Sequence, residues 1–145
     1  MSIWKKSYDS LDPHRSVQNT MVQHLGIQIT RIGDDFLEGT MPVDHRTCQP
    51  YGILHGGASV TLAESIGSLG AYLAADPDHR VVGLEINANH IRRTTSGTVT
   101  GIGRPLHIGR TTQVWQIEIV DEDQRLVCVS RLTIAVMKPS QQPPA

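Results

Sequence analysis

The 145-residue sequence has few cysteines, few aromatic residues and no excess of charge of either sign. Its two cysteines, Cys48 and Cys128, are too few and too far apart for a disulfide framework or for a zinc site of the usual paired spacing. We therefore expect a reducing, cytoplasmic location. Thirteen basic residues against 14 acidic ones exclude the broad positive surface that nucleic-acid binding needs. No apolar run suits a signal peptide or a membrane-spanning helix, so no membrane partner is expected.

Aromatic residues are only 4% of the chain, so the core must come mainly from aliphatic side chains on regular elements. A chain of this length fits one domain, in which burial of about 70% of the unfolded surface is typical. We expect that single domain over residues 1–138, with an N-terminal helix included. The Pro-rich segment 139–145 is predicted to be a disordered tail.

Glycine, proline and clustered acidic residues divide the chain into regular elements. A helix is expected after Pro13, with Asp12 as its N-cap and Gly26 at its C-terminal end. Strands are predicted at 27–32 and 36–43, a long helix at 56–75, and four further strands at 81–92, 98–108, 111–120 and 125–137. Short turns favour antiparallel pairing, so the pattern predicts an α+β fold in which one antiparallel sheet wraps around one helix.

The predicted helix over residues 56–75 is nearly apolar on all sides and carries a single charge, Glu64. Burying an unpaired carboxylate costs several kcal/mol, so Glu64 pairs with a cation, is protonated, or faces a polar cleft where chemistry occurs. A solvated glutamate on the exposed edge of the helix is the simpler alternative. Ser68 lies one turn further along and shares the face of Glu64. Glu64 is therefore a candidate catalytic carboxylate.

Two glycines begin this helix and leave backbone N–H groups unobstructed at the positive end of its dipole, which suits an oxyanion. For a glycine pair taken alone, a tight turn packed closely against the sheet is the better explanation. Gly56 and Glu64 are eight residues apart. At about 1.5 Å per residue they are separated by about 12 Å, so one small carbonyl group cannot touch both. If both act on one bond, the site lies between two subunits of a symmetric dimer.

Three segments together resemble the hot-dog-fold acyl-CoA thioesterases: QPYGILHGGAS at 49–59, LAES at 62–65 and VGLEINANH at 82–90. The subgroup that they resemble includes the glutamate-type 4-hydroxybenzoyl-CoA thioesterases and bacterial thioesterases that act on dihydroxynaphthoyl-CoA or on aryl groups misloaded onto carrier proteins. The similarity covers residues 21–137. It implies hydrolysis of aryl- or acyl-CoA or carrier-protein thioesters, no cofactor apart from the CoA of the substrate, and homodimers that pair into homotetramers.

The resemblance also implies roles for individual residues. Gln49 and the backbone N–H of Gly56 would bind the thioester oxygen, and Glu64 of the partner subunit would be the catalytic carboxylate. This glutamate would act either as a nucleophile that forms a mixed anhydride or as a general base toward water. Ser68 would position the water or the substrate. His55 would orient the loop or contact the thioester.

The phosphates of CoA require basic residues near the entrance of such a site. The candidates are His90, Arg92, Arg93 and Arg104. A solvated strand end is the simpler explanation for any single arginine among them.

Other functions fit less well. A hot-dog dehydratase or hydratase, and a non-catalytic acyl-thioester-binding module, are the alternatives on the same fold. A serine hydrolase is excluded because Ser59 lies in GASV, which lacks the final glycine of the nucleophile elbow. Metal catalysis is not expected because no ligands occur at usable spacing.

Overall fold

A computed structural model describes residues 1–144 and contains one six-stranded antiparallel sheet and one long helix. The helices are α1 (Pro13–Ser16), α2 (Met21–His24) and the long α3 (Gly56–Ala74). The strands are β1 (Gln28–Ile32), β2 (Leu37–Pro42), β3 (Arg80–His90), β4 (Thr98–Ile108), β5 (Thr112–Val120) and β6 (Leu126–Met137). They lie in the order β1-β2-β4-β5-β6-β3, and α3 packs against β2, β3, β4, β5 and β6. The predicted α+β fold is confirmed.

The N-terminal region differs from the prediction of one helix. It forms two four-residue helices, α1 and α2, separated at Asn19, whose φ is +60°. Thr20 starts the second helix, since its side chain accepts a hydrogen bond from the N–H of Gln23. Asp12 occupies the N-cap position of α1 in a left-handed conformation, but its side chain accepts no N–H group of the described residues. An asparagine tolerates the left-handed region and a threonine makes a good N-cap, so this pair restarts the helix.

The C-terminal tail begins with a 3₁₀ helix at Pro139–Gln141. The side-chain amide of Gln142 donates to the carbonyl of Asp78 over 3.0 Å. Ala145 lies outside the described residues. The disorder expected for 139–145 stays a prediction.

Close packing of α3 on the sheet depends on glycines that make room for Ile66. This side chain is fully buried and contacts β2 and β4 at Gly39, Gly101 and Gly103. A β-carbon on Gly101 would lie 2.5 Å from Cδ1 of Ile66, whereas one on Gly103 would lie 2.6 Å from Cγ2. The two glycines therefore accommodate different methyl groups of one isoleucine.

We expect Gly101→Ala to destabilise the protein by about 1–3 kcal/mol, because the new methyl group overpacks against Cδ1 of Ile66. Ile66→Val removes that Cδ1 atom. The double variant should therefore lose less free energy of unfolding than the two single variants lose together, by at least about 0.5 kcal/mol. Urea unfolding of the four proteins measures this coupling.

Gly103→Ala is the matched control, because valine retains the Cγ2 atom that its new methyl group would meet. Ile66→Val should not relieve Gly103→Ala. If Ile66→Val reduces the destabilisation of both alanine variants equally, or of neither, Ile66 does not pack on these strands as described.

Candidate active site

The loop between β2 and α3 is held by hydrogen bonds of Thr47, whose side chain is buried. The Thr47 hydroxyl donates to the carbonyl of Pro42 over 2.7 Å, and the Thr47 carbonyl accepts from the N–H of His55 over 2.8 Å.

Hydrogen bonds from Arg46 lower the pKa of Asp44, in the same loop, to about 2. Since this carboxylate titrates lower in the folded protein than in the unfolded chain, its stabilising contribution is present above about pH 4 and is lost as the pH falls toward 2.

Gln49 is positioned on this loop with its amide group in one orientation. Its Oε1 atom accepts a hydrogen bond from the backbone N–H of Tyr51. The backbone N–H of Gln49 donates to the carbonyl of Ile53 over 2.8 Å. The Nε2 group has no acceptor among the described residues. The side chain thus offers a donor, rather than an acceptor, to a ligand.

The N-terminus of α3 presents a second donor. Nδ1 of His55 accepts the N–H of Gly57 over 2.7 Å and so caps the helix. The N–H of Gly56 has no acceptor within residues 1–144. A β-carbon at Gly56 would lie 2.6 Å from Nε2 of His90, so the His90 ring packs directly against this glycine. A side chain at position 56 would therefore displace the His90 ring, whereas glycine allows the ring to lie against the start of α3.

These two donors line one cavity of about 320 Å³. Three of the four predicted CoA-binding residues, His90, Arg92 and Arg93, line it as well. A carbonyl oxygen and a phosphate-bearing group could thus be bound in the same region of one protomer.

Arg104 lies elsewhere. Its guanidinium group pairs with Asp35 over 3.2 Å and stacks 4.6 Å from the ring centre of Phe36. The structure of the protomer does not bring Arg104 to the cavity that Arg92 and Arg93 line.

Glu64 is half-buried and its carboxylate lies over Gly83 of β3, where a β-carbon would be 2.7 Å from Oε1. It forms no ion pair or hydrogen bond with another described residue. The pairing begins to shift register at Gly83, which marks a bulge in β3 beside the carboxylate. An unpaired carboxylate in a partly buried position is available to a substrate or to water.

Ser68 lines the same cavity as Glu64, which has a volume of about 380 Å³. The hydroxyl of the nearby Ser65 donates to the carbonyl of Thr61 over 2.7 Å and is thereby engaged in the helix. The candidate site residues are thus divided between two cavities, one with Gln49 and Gly56 and the other with Glu64 and Ser68.

Two features of the site were not predicted from the sequence. Residues of the N-terminal region, among them Tyr8 and Val17, form part of the cavity of Glu64. Gly83 approaches the carboxylate from β3. A glycine inside a strand pattern signals a bulge or a close approach, so Gly83 could have been found in this way. The N-terminal contribution carries no such signal.

Within residues 1–144, no three His, Cys, Asp or Glu side chains cluster as metal ligands do. No helix of this part of the chain is long and apolar enough to cross a membrane.

Comparison with known proteins gives concordant results. The sequence profile of the thioesterase superfamily matches residues 51–128. The 1,4-dihydroxy-2-naphthoyl-CoA hydrolase of Escherichia coli is 55% identical over 93% of this chain and 99% of its own length. The proofreading thioesterase EntH of Cronobacter turicensis is 51% identical over 93% of this chain and 98% of its own. The crystal structure of a Haemophilus influenzae thioesterase superposes with a TM-score of 0.91 at 51% identity, covering 94% of this chain and 96% of that one.

Proposed function

The chain belongs to the thioesterase superfamily, has the hot-dog fold and is a thioester hydrolase, and on this premise we propose that it cleaves aryl- or acyl-thioesters of CoA or of a carrier protein in a site shared by two subunits. One observation carries the proposal. The unoccupied donors of Gln49 and Gly56 and the unpaired carboxylate of Glu64 line different cavities of the same protomer. Each protomer then supplies half of a site.

The free edge of β3 supports a dimer. This 11-residue strand pairs with β6 on one side, and its other side pairs with no strand of residues 1–144. Its apolar side chains Val82 and Leu84 are 46% and 63% exposed. A long edge strand with exposed apolar residues favours pairing with another chain. Two copies related by a twofold axis would pair their β3 strands in antiparallel orientation.

Antiparallel pairing of β3 would also complete the site. Glu64 lies over Gly83 near one end of the strand, and the cavity of Gln49 and Gly56 is lined by His90 at the other end. A twofold axis at Asn87 would set the bulge at Gly83 and Leu84 opposite His90 of the partner subunit. The carboxylate of one chain would then face the donors of the other.

In this site the thioester carbonyl oxygen accepts hydrogen bonds from Nε2 of Gln49 and the N–H of Gly56, which stabilise the negative charge that develops on it. As a general base, Glu64 of the partner subunit takes a proton from water, the resulting hydroxide adds to the carbonyl carbon, and the C–S bond breaks to release a thiolate. As a nucleophile, its carboxylate oxygen adds to the same carbon, the thiolate leaves, and water hydrolyses the mixed anhydride. A thiol pKa of about 8.5 makes the thiolate a good leaving group without a strong general acid.

Ser68 lies in the cavity of Glu64 and positions the water or the substrate in either route. His55 holds the N-terminus of α3 through its Nδ1 atom, which supports a role in orienting the loop. His90, Arg92 and Arg93 bind the phosphates of CoA at the donor cavity. The exposed Leu106 and Ile108 of β4 offer a further apolar surface for pairing of dimers into tetramers.

A hydrolysis screen tests the proposed substrate class. Benzoyl-, 4-hydroxybenzoyl-, naphthoyl- and long-chain acyl-CoA, with a benzoyl carrier protein, are incubated with the protein and free thiol is measured. We expect turnover of thioesters and none of methyl 4-hydroxybenzoate, because an alkoxide is a much poorer leaving group than a thiolate. Absence of thiol release from every substrate would contradict the proposal.

A further inference from the structure

The cavity of Glu64 has a neighbour of about 440 Å³, and the two share six lining residues. The shared residues are Tyr8, Pro13, Val17, Val22, Ile27 and Ile29. Tyr8 is the one among them whose side chain can form a hydrogen bond. The boundary between the two cavities is therefore apolar except for one phenol group.

The chain before Tyr8 is attached firmly to the rest of the protein. The N–H groups of Lys5 and Lys6 donate to the carbonyl of Leu73 near the end of α3 over 2.8 and 3.0 Å. The indole ring of Trp4 stacks on that of Trp115 with 6.1 Å between ring centres, and its N–H donates to the carbonyl of Gly33 over 2.6 Å. These contacts fix where the segment enters the cavity wall, and Tyr8 follows two residues later.

The phenol of Tyr8 is an available donor. Burial of the half-exposed side chain, with a smaller contribution from Asp9, raises its pKa above the usual value, so the hydroxyl keeps its proton at neutral pH. Its oxygen has no hydrogen-bond partner among the described residues. A hydroxyl at an apolar boundary gains most from a ligand group that completes its hydrogen bond.

Resting on the proposed function, we infer that Tyr8 is a specificity-determining residue that hydrogen-bonds a hydroxyl group on the acyl part of the substrate, at the end remote from the thioester. An acyl group whose carbonyl carbon is at Glu64 extends along a wall of Leu11, Val17 and Leu69. A simple aromatic or aliphatic group makes apolar contacts along this wall. A hydroxylated ring in addition reaches the one polar group at the boundary.

The test compares pairs of substrates that differ by one ring hydroxyl remote from the thioester, benzoyl-CoA with 4-hydroxybenzoyl-CoA and 2-naphthoyl-CoA with 6-hydroxy-2-naphthoyl-CoA. We expect the wild-type protein to have the higher kcat/KM for the hydroxylated member of at least one pair. Tyr8→Phe should lower that preference about 3- to 10-fold, which corresponds to one neutral hydrogen bond, and leave kcat/KM for the parent ring nearly unchanged. Tyr72→Phe is the matched control, since Tyr72 lies under Lys6 and lines neither cavity.

Two outcomes overturn the inference: a wild-type protein that does not prefer the hydroxylated ring in either pair, or a preference that Tyr8→Phe leaves intact. An equal fall for both members of a pair is a case of the second outcome, because the preference is then unchanged and Tyr8 has a merely structural role. Glu64→Gln, assayed in parallel, separates the two proposals. If that variant is inactive while Tyr8→Phe keeps the preference, the specificity role fails and the proposed site stands.

Discussion

Glu64→Gln is expected to lower kcat/KM for any thioester substrate by about 100- to 10,000-fold, the range attributed to a positioned general base. The change keeps the size of the side chain and removes the negative charge. Because the carboxylate is half-buried and has no partner among the described residues, its removal should leave the melting temperature unchanged or raise it. Steady-state kinetics and thermal unfolding of the same preparation measure both effects.

Glu118→Gln is the matched control, because Glu118 is an exposed glutamate of β5 whose carboxylate accepts a hydrogen bond from Gln116 over 3.3 Å. It should retain full activity. A folded Glu64→Gln protein with wild-type kcat/KM would rule out Glu64 as the catalytic carboxylate.

Mixing two inactive variants is expected to restore activity. Gln49→Ala removes one oxyanion donor, which should cost about 100- to 1,000-fold in kcat, and Glu64→Ala removes the carboxylate. In a mixed dimer with a shared site, one site carries both defects and the other carries none. After complete exchange of equal amounts, about a quarter of the wild-type activity should return, since half of the dimers are mixed and each has one intact site.

Gln49→Ala is preferred to a substitution at Gly56, where any β-carbon would displace the ring of His90. Subunit exchange is verified independently with two affinity tags, and each variant mixed with itself is the control. If mixed dimers form and activity stays at the level of the single variants, the complete site lies within one chain.

Much of the fold could be predicted because local signals mark its element ends. Helix α3 begins at Gly56 directly after the cap of His55 and ends before Asp76-Pro77, and β4 has the predicted bounds Thr98–Ile108. Gly97 and the acidic turn at 121–123 delimit the strands in the same way. Such signals act within a few residues, so they can be recognised in the sequence.

Strand order and tertiary contacts are not encoded in this local way. Strand β3 precedes β4 in the chain, yet β6 is its hydrogen-bonded neighbour, and this places β3 at the edge of the sheet. Arg104 is close in sequence to other basic residues but pairs with Asp35, which is 69 positions away. The placement of Tyr8 in the cavity that Glu64 lines depends on contacts of the preceding residues with α3. Each of these requires pairings between distant segments, which local periodicity does not specify.

Helix α3 has one more consequence. Gly56 and Glu64 belong to the same 19-residue helix, so their separation is rigid and no loop movement within one chain can bring them to a common bond. With a shared site, a newly synthesised chain is a latent catalyst that becomes active only on meeting another copy. Its activity would then depend on cellular concentration, because thioesters would be hydrolysed only where two copies associate.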